Sequence, residues 1–294
     1  MPVAPRNPGP GWGYRFLLLC DRCLPEIVFR PLRGAGTFVA LLFMPAQRAH
    51  SQTYLATIME CAPTWRDTWR HFFAFEESLM LKLRVAAGAP QPVELAPGDT
   101  GLREVLATEE PALLGTFHVG HSDIIGFLLG SHRQRRVSMV RLRVGNSDDT
   151  EQLRTQFGDW ISFIWVNDPA NLLFALKEAV AAGESIALKC DRLEFSAKTE
   201  VFDFLGARRR FPFTIYHLAL IFQLPVVLSV GLPGGNGQSI VHCSPQFRAD
   251  ASSKAANLER ARTHFQAFLH RLEDMLREDP YQWANFLPLN PIVP

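Results

Sequence analysis

Hydrophobic residues in the second half of the chain form short blocks that are separated by turn residues and by stretches with helical spacing. The short blocks predict β-strands at 112–117, 137–142, 161–166, 185–189, 201–204, 225–230 and 239–243. The longer amphipathic stretches predict helices at 122–129, 149–157, 170–182, 214–222 and 256–277. Strands that alternate with helices predict an α/β fold, with a mixed, largely parallel central sheet flanked by helices.

The first part of the chain has a different pattern and predicts helices over residues 12–88. We expect an N-terminal helical region there, followed by an α/β core at 89–294. Residues 1–11, rich in proline and glycine, predict a disordered tail, and the proline-containing stretch 88–100 predicts a connector.

Residues 12–45 combine aromatic and aliphatic side chains with interleaved arginines. This composition suits a helix pair that lies on a bilayer surface, and it equally suits a helical layer packed on the core. The apolar run at 37–44 is much shorter than the roughly 20 residues that a membrane span needs. We therefore expect a membrane-associating extension that attaches peripherally.

Composition narrows the classes of function. The 294 residues carry a formal net charge of +1, so no global field favours nucleic acid as a partner. Five scattered cysteines do not suggest a disulfide framework and favour a reducing compartment. Cys20-x-x-Cys23 lacks a second pair of metal ligands, so we interpret it as part of a helix. The chain also lacks the GxGxxG, P-loop, HExxH and GxSxG motifs.

The richest candidate chemistry lies in the run from Gly115 to Asp123, where a predicted strand turns into a predicted helix at Gly120. His118 precedes the helix and Asp123 lies in its first turn, where the helix dipole favours an anion. Histidine titrates near neutral pH and can act as a general base. We expect the Asp123 carboxylate to reach back and hold one nitrogen of the His118 ring.

Other charged groups follow predicted strands. Asp191-Arg192 comes after the strand at 185–189, and Arg141 and Arg143 lie at the end of the strand at 137–142. An arginine fork at a strand end suits phosphate or carboxylate binding, and a structural ion pair is the alternative. The arginines at 208–210 lie between Gly206 and Pro212 and predict a solvated loop.

These motifs together resemble the glycerolipid (lysophospholipid) acyltransferase superfamily, whose signature is His-x4-Asp. The turn from His118 to Asp123 is similar to that of bacterial lipid A late acyltransferases and of their relatives in aryl-polyene and xanthomonadin pigment clusters. Asp191-Arg192, Phe204-Leu205-Gly206 with Phe211-Pro212, and the closing run 280–286 resemble further motifs of these enzymes in the same order. Asp123 stands where the lipid A enzymes have Glu, which favours the pigment-cluster relatives.

The resemblance implies an O-acyltransferase on the cytoplasmic face of the inner membrane. Its donor would be an acyl carrier protein thioester or acyl-CoA, its acceptor a hydroxyl of a lipid-like molecule, and no cofactor or metal is implied. His118 would be the base and Asp123 its partner. The residues implied to bind or position substrate are Asp191, Arg192, Arg141, Arg143, Gly120, Phe204 and Gly206.

Three other functions stay open on the sequence. The same base could activate water, which would make the protein a thioesterase. His118, His121, Asp123 and Asp191 could instead bind zinc or manganese in a metal-dependent hydrolase. The chain could also be a non-catalytic lipid-binding protein that keeps the fold.

Overall fold

A computed structural model describes residues 11–131, 135–141, 160–166, 169–193, 196 and 198–293. Its helices are α1 (Gly11–Cys23), α2 (Glu26–Phe43), α3 (Pro45–Met59), α4 (Trp65–Ala86), α5 (Gly101–Ala107), α6 (Ser122–Ser131), α7 (Pro169–Ala181), α8 (Thr214–Phe222) and α9 (Lys254–Glu278). Its strands are β1 (Val93–Leu95), β2 (Leu113–Gly120), β3 (Val137–Arg141), β4 (Ile161–Trp165), β5 (Ser185–Lys189), β6 (Thr199–Phe204), β7 (Ala207–Pro212), β8 (Val226–Pro233) and β9 (Ser239–Cys243).

The described strands form a seven-stranded sheet in the order β1-β9-β8-β2-β5-β3-β4. All neighbouring pairs are parallel except β8 and β9, which are antiparallel. This confirms the predicted mixed, largely parallel α/β sheet. From β2 the chain reaches β3 on one side, and it later crosses to β8 on the other. The carboxyl end of β2 therefore lies where connections diverge, which is where open α/β sheets bind ligands.

Two predictions of local structure are wrong. The interpreted connector at 88–100 contains β1, a short edge strand that pairs with β9. The predicted loop at 206–212 is strand β7, which forms a hairpin with β6. Leu205 and Gly206 both have positive φ and make a two-residue turn between them. The three consecutive arginines conceal the alternation that marks a strand, because all three are charged. In the structure Arg208 and Arg210 are exposed and Arg209 between them is buried, where its guanidinium donates to the Asn290 carbonyl.

The N-terminal layer is helical, as predicted, and helix α2 shows how it is held. Its inner face buries Gly34 and a row of residues four positions apart, Phe29, Arg33, Thr37 and Leu41. The Arg33 guanidinium binds Glu76 of α4 at 2.7 Å, which fixes α2 to α4. The helices therefore pack as a layer.

The outer face of α2 is apolar rather than polar. Its exposed large hydrophobic side chains, each at least 45% accessible, are Ile27, Val28, Leu32, Phe38, Val39, Leu42 and Phe43. At 100° per residue they cover an arc of about 160°. Within the described ranges, no single helix is long and apolar enough to cross a membrane, whereas α2 and α3 satisfy that criterion jointly but are bent by 101°.

Some of the predicted elements and residues lie outside the part of the chain that the structure describes. The disordered tail at 1–11 lies almost entirely outside the described residues, as do the helix at 149–157, Leu142 and Arg143.

Candidate functional site

An irregularity in β2 sets the position of His118. Thr116 pairs with Ser229 of β8, but the next pair joins Gly120 to Gly231, so β2 has two more residues in this stretch than β8. Such bulges re-aim side chains and are frequent beside active sites. The His118 N–H, released from the sheet, donates to Asp191 Oδ2 at 2.9 Å, and its carbonyl accepts from the Ala284 N–H at 2.7 Å.

Gly120 closes this irregular segment and must be glycine. Its φ is +45°, and a Cβ at this position would lie 2.5 Å from the Gly231 carbonyl oxygen. A side chain would strain the backbone and push β2 away from β8. The predicted role of Gly120 in substrate binding stays a prediction, and the structure gives it a part in shaping the turn.

The imidazole of His118 is held by Asp191. Its Nδ1 lies 2.8 Å from Asp191 Oδ1. The strand register explains the contact. Thr116 of β2 pairs with Lys189, the last residue of β5, so His118 and Asp191, each two positions further along the chain, lie side by side. The Asp191 side chain is only 2% exposed, whereas that of His118 is 21% exposed.

Electrostatics fixes the protonation of this pair. Burial alone would raise the pKa of Asp191, but the His118 ring, Arg192 and Lys189 hold it far below its usual range. Burial lowers the pKa of His118, with opposition from Asp191 and support from Arg192 and Lys189. An ionised carboxylate only accepts hydrogen bonds, so the Nδ1 atom of a neutral imidazole carries the proton here. The Nε2 atom is left with a free lone pair, as a general base requires.

Asp123 has different partners, and this corrects the predicted contact with the His118 ring. Its carboxylate lies 2.7 Å from Lys189 Nζ and 3.6 Å from Lys82 Nζ. Burial would raise the pKa of Asp123, but these two ammonium groups, with His118 as a weaker influence, lower it well below its usual range. The position of Asp123 in the first turn of α6 aims it at the ends of β5 and α4 instead of back along β2. A catalytic role for Asp123 stays a prediction.

The hypothetical metal site is not assembled. His121 Nδ1 lies 2.7 Å from the Ser239 hydroxyl, on the opposite side of β2 from Asp191 in the strand order. Burial lowers the pKa of His121 to about 4. Nowhere in the described ranges do three or more His, Cys, Asp or Glu side chains converge to bind a metal ion.

Two predicted arginines lie at this edge of the sheet. Arg192 follows Asp191, and one of its terminal nitrogens donates to the Ala284 carbonyl at 3.1 Å. Its Nε is buried and has no hydrogen-bond partner. Arg141 ends β3, two strands from β2, with its guanidinium 5.5 Å from the centre of the Phe163 ring. Substrate binding by either residue stays a prediction.

Phe204 lies in the core next to the site, and Gly206 lies in a turn. Phe204 is 2% exposed and packs edge-on against Trp283, with the ring centres 5.5 Å apart. Gly206, with a φ of +67°, is in the turn of the β6–β7 hairpin. The structure therefore gives these residues a packing and a turn role, and a direct contact between substrate and Phe204 would need the core to open.

The sequence did not predict the contacts that three side chains, Asp191, Lys189 and Trp283, make at this site. Asp191 was expected at the substrate and is instead the partner of the imidazole. Lys189 donates to the Phe117 carbonyl at 2.9 Å as well as to Asp123. The indole N–H of Trp283 donates to Asp191 Oδ2 at 3.2 Å. The available signals were the charged run that ends β5 and the closing run 280–286.

Comparison with solved structures finds similar chains, among them an acyltransferase. The chain is similar to the crystal structure of the 1-acyl-sn-glycerophosphate (LPA) acyltransferase PlsC from Thermotoga maritima, with 14% identity, a TM-score of 0.42, and coverage of 87% of this chain and 100% of that one. No protein-family model and no curated protein sequence matches the chain. The function therefore has to be argued from the site itself.

Proposed function

We propose that the protein is an acyltransferase in which His118 is the general base. The observation that carries this proposal is the 2.8 Å contact between His118 Nδ1 and the buried Asp191 carboxylate. It leaves Nε2 as the basic atom of a ring that is one-fifth exposed at the carboxyl edge of a parallel sheet. The arrangement follows the logic of a histidine oriented by an acid, with the substrate hydroxyl as the nucleophile.

The proposed reaction needs no covalent enzyme intermediate. Nε2 of His118 removes the proton of an acceptor hydroxyl while that oxygen attacks the carbonyl carbon of a thioester. The carbon–sulfur bond then breaks, and the leaving thiolate takes the proton from the imidazolium. Asp191 stabilises the imidazolium between these two steps and keeps Nδ1 protonated.

The resemblance of the sequence motifs supports the substrate classes. We propose an acyl carrier protein or acyl-CoA thioester as donor and a lipid-like hydroxyl compound as acceptor. Arg192 and Arg141, which lie at the same edge as His118, are the proposed contacts for anionic groups of these substrates. An aryl-polyene acyl group is the finer form of this proposal and rests on the motif turn at 118–123.

Product analysis tests the reaction class. With acyl-CoA and a lysophospholipid such as lysophosphatidic acid, we expect thiol release that depends on the acceptor and an ester product that mass spectrometry detects. An acyl carrier protein thioester is the second donor to try. Thiol release that ignores the acceptor and yields free fatty acid would make the protein a thioesterase instead.

We also propose that the protein attaches peripherally to a membrane, on the cytoplasmic face of the inner membrane. The exposed apolar arc of α2, together with Phe16 and Leu19 of α1, supports attachment. A helix whose solvent-facing side is apolar needs an apolar environment on that side. A lipid-like acceptor would be met at that surface.

Replacing Leu32 and Phe43 by serine should weaken vesicle binding at least tenfold. Both side chains are exposed, at 55% and 81%, so the fold should persist. Each would lose a burial free energy of up to about 2 kcal/mol in lipid. Co-sedimentation with phosphatidylglycerol-containing vesicles measures the effect. The matched control replaces Ile221 and Ile292, which are 63% and 62% exposed on other parts of the surface, and should bind as the wild type does. Equal weakening in both variants would contradict the proposed membrane face.

A further inference from the structure

The closing segment of the chain clasps the ends of β2 and β5. Trp283 bridges Val119, the Ala284 N–H donates to the His118 carbonyl, and Arg192 donates to the Ala284 carbonyl. The Asn290 amide donates to the Asp191 carbonyl at 3.0 Å. These contacts tie both halves of the His118–Asp191 pair to one segment that is distant in sequence.

Trp283 makes the contact that bears on the chemistry. Its indole nitrogen can only donate, and it donates to Asp191 Oδ2. The same oxygen also accepts the backbone N–H of His118. With Oδ2 bound by two N–H groups, Oδ1 is the carboxylate oxygen nearer to Nδ1 of the His118 ring, at 2.8 Å against 3.1 Å for Oδ2. The indole thus selects the rotation of the carboxylate.

Trp283 is itself fixed by the N-terminal helices. Its carbonyl lies 2.7 Å from Nε2 of His71, on α4, which must donate because a carbonyl only accepts. Burial lowers the pKa of His71 to about 4, so the ring is neutral and its Nδ1 accepts from the Ser51 hydroxyl of α3 at 2.8 Å. The Tyr54 ring stands edge-on to the indole, with centres 5.0 Å apart.

We propose that Trp283 is a positioning residue of the candidate site: its indole N–H holds the Asp191 carboxylate against the His118 ring, and His71 holds Trp283 in place. The inference rests on the proposed function, since it assigns a role in that reaction. It also gives the N-terminal helical layer a direct connection to the base, through Ser51, His71 and the Trp283 backbone.

The test is Trp283→Phe, with two readouts. We expect kcat for acyl transfer to fall about tenfold while KM for the thioester changes less than about twofold, because the base is misplaced and binding is not. Independently of activity, NMR titration with labelled histidine should show the pKa of His118 falling. An Asp191 carboxylate that is no longer held against the ring would stabilise the imidazolium less. His118→Ala identifies the resonance.

A shape-preserving variant guards against misfolding. Benzothienylalanine at position 283 keeps a bicyclic ring and lacks only the N–H donor, so it should give the same shifts. Trp69→Phe is the matched control, because it removes an indole N–H that donates to the Gly34 carbonyl at 3.0 Å within the helical layer. This control should leave both readouts unchanged.

The outcomes separate this inference from the proposed function. If the folded Trp283 variants keep the wild-type kcat and His118 titration, the positioning role is overturned. If wild-type protein transfers no acyl group but the His118 titration still shifts in the Trp283 variants, the positioning stands and the proposed reaction is wrong.

Discussion

Replacing His118 by alanine should lower kcat/KM for acyl transfer by about 10²- to 10⁴-fold, the usual effect of losing a general base. The reason is specific to the geometry. Nε2 of this ring is the atom left unprotonated by the Nδ1 contact with Asp191. No other group on the turn combines a free basic nitrogen with a carboxylate partner. Steady-state kinetics with a thioester donor and a hydroxyl acceptor measures the loss.

His121→Ala is the matched control, since it removes an imidazole three positions along the same turn. His121 contacts the Ser239 hydroxyl rather than a carboxylate, and we expect its loss to cost less than about tenfold. Circular dichroism and thermal unfolding of both variants must show a folded protein. A folded His118→Ala variant with near wild-type transfer, or a larger loss in His121→Ala, would contradict the assignment of the base.

The pH dependence of the wild type follows from the same group. The base must be neutral, so kcat/KM should fall as the pH drops through the pKa of His118. Burial, the largest influence, lowers that pKa from its ordinary value near 6.5. We therefore expect the acidic limb of the profile below that value. An acidic limb at a higher pH would indicate that the Asp191 interaction outweighs burial.

Sequence reasoning predicted the sheet well because its strands are short apolar blocks bounded by turns. The predicted strand at 185–189 and helix at 214–222 agree with β5 and α8 to the residue. The failures have physical causes. Strand β1 is short and sits among prolines, and β7 carries three arginines whose alternation becomes meaningful only when the hairpin with β6 is known.

The residues of the candidate site could be predicted from the sequence, but the contacts between them could not. His118, Asp191 and Arg192 were all identified from their positions after predicted strands. The pairing of β2 with β5 was not, because local spacing carries no information about which parallel strands become neighbours. The five-residue separation favoured Asp123 as the partner of His118. In the structure Thr116 pairs with Lys189, and this register brings Asp191 to the His118 ring instead. The contact between the Trp283 indole and Asp191 joins residues even further apart in the sequence, so local spacing could not predict it either.

Replacing Asp191 by asparagine should lower kcat/KM by about 10²- to 10⁴-fold, close to the loss of the histidine itself. Asparagine keeps the shape but reverses the polarity of one atom. The Oδ2 position accepts N–H groups from His118 and Trp283, so the amide oxygen will settle there. The amide NH₂ then faces Nδ1 of the imidazole and donates to it, which moves the ring proton to Nε2. The base loses its lone pair although every side chain stays in place.

Asp123→Asn is the decisive comparison, because the motif spacing makes Asp123 the partner of His118 whereas the structure places Asp191 there. Asp123 pairs with Lys189 and Lys82, and its side chain is 45% exposed. The partners of Asp123 are these two lysines rather than the imidazole, so we expect less than a tenfold loss of kcat/KM. NMR of the imidazole nitrogens should show the proton on Nδ1 in this variant and on Nε2 in Asp191→Asn. A larger loss and a moved proton in Asp123→Asn would return the partner role to Asp123, because only the carboxylate that contacts Nδ1 can control which nitrogen is protonated.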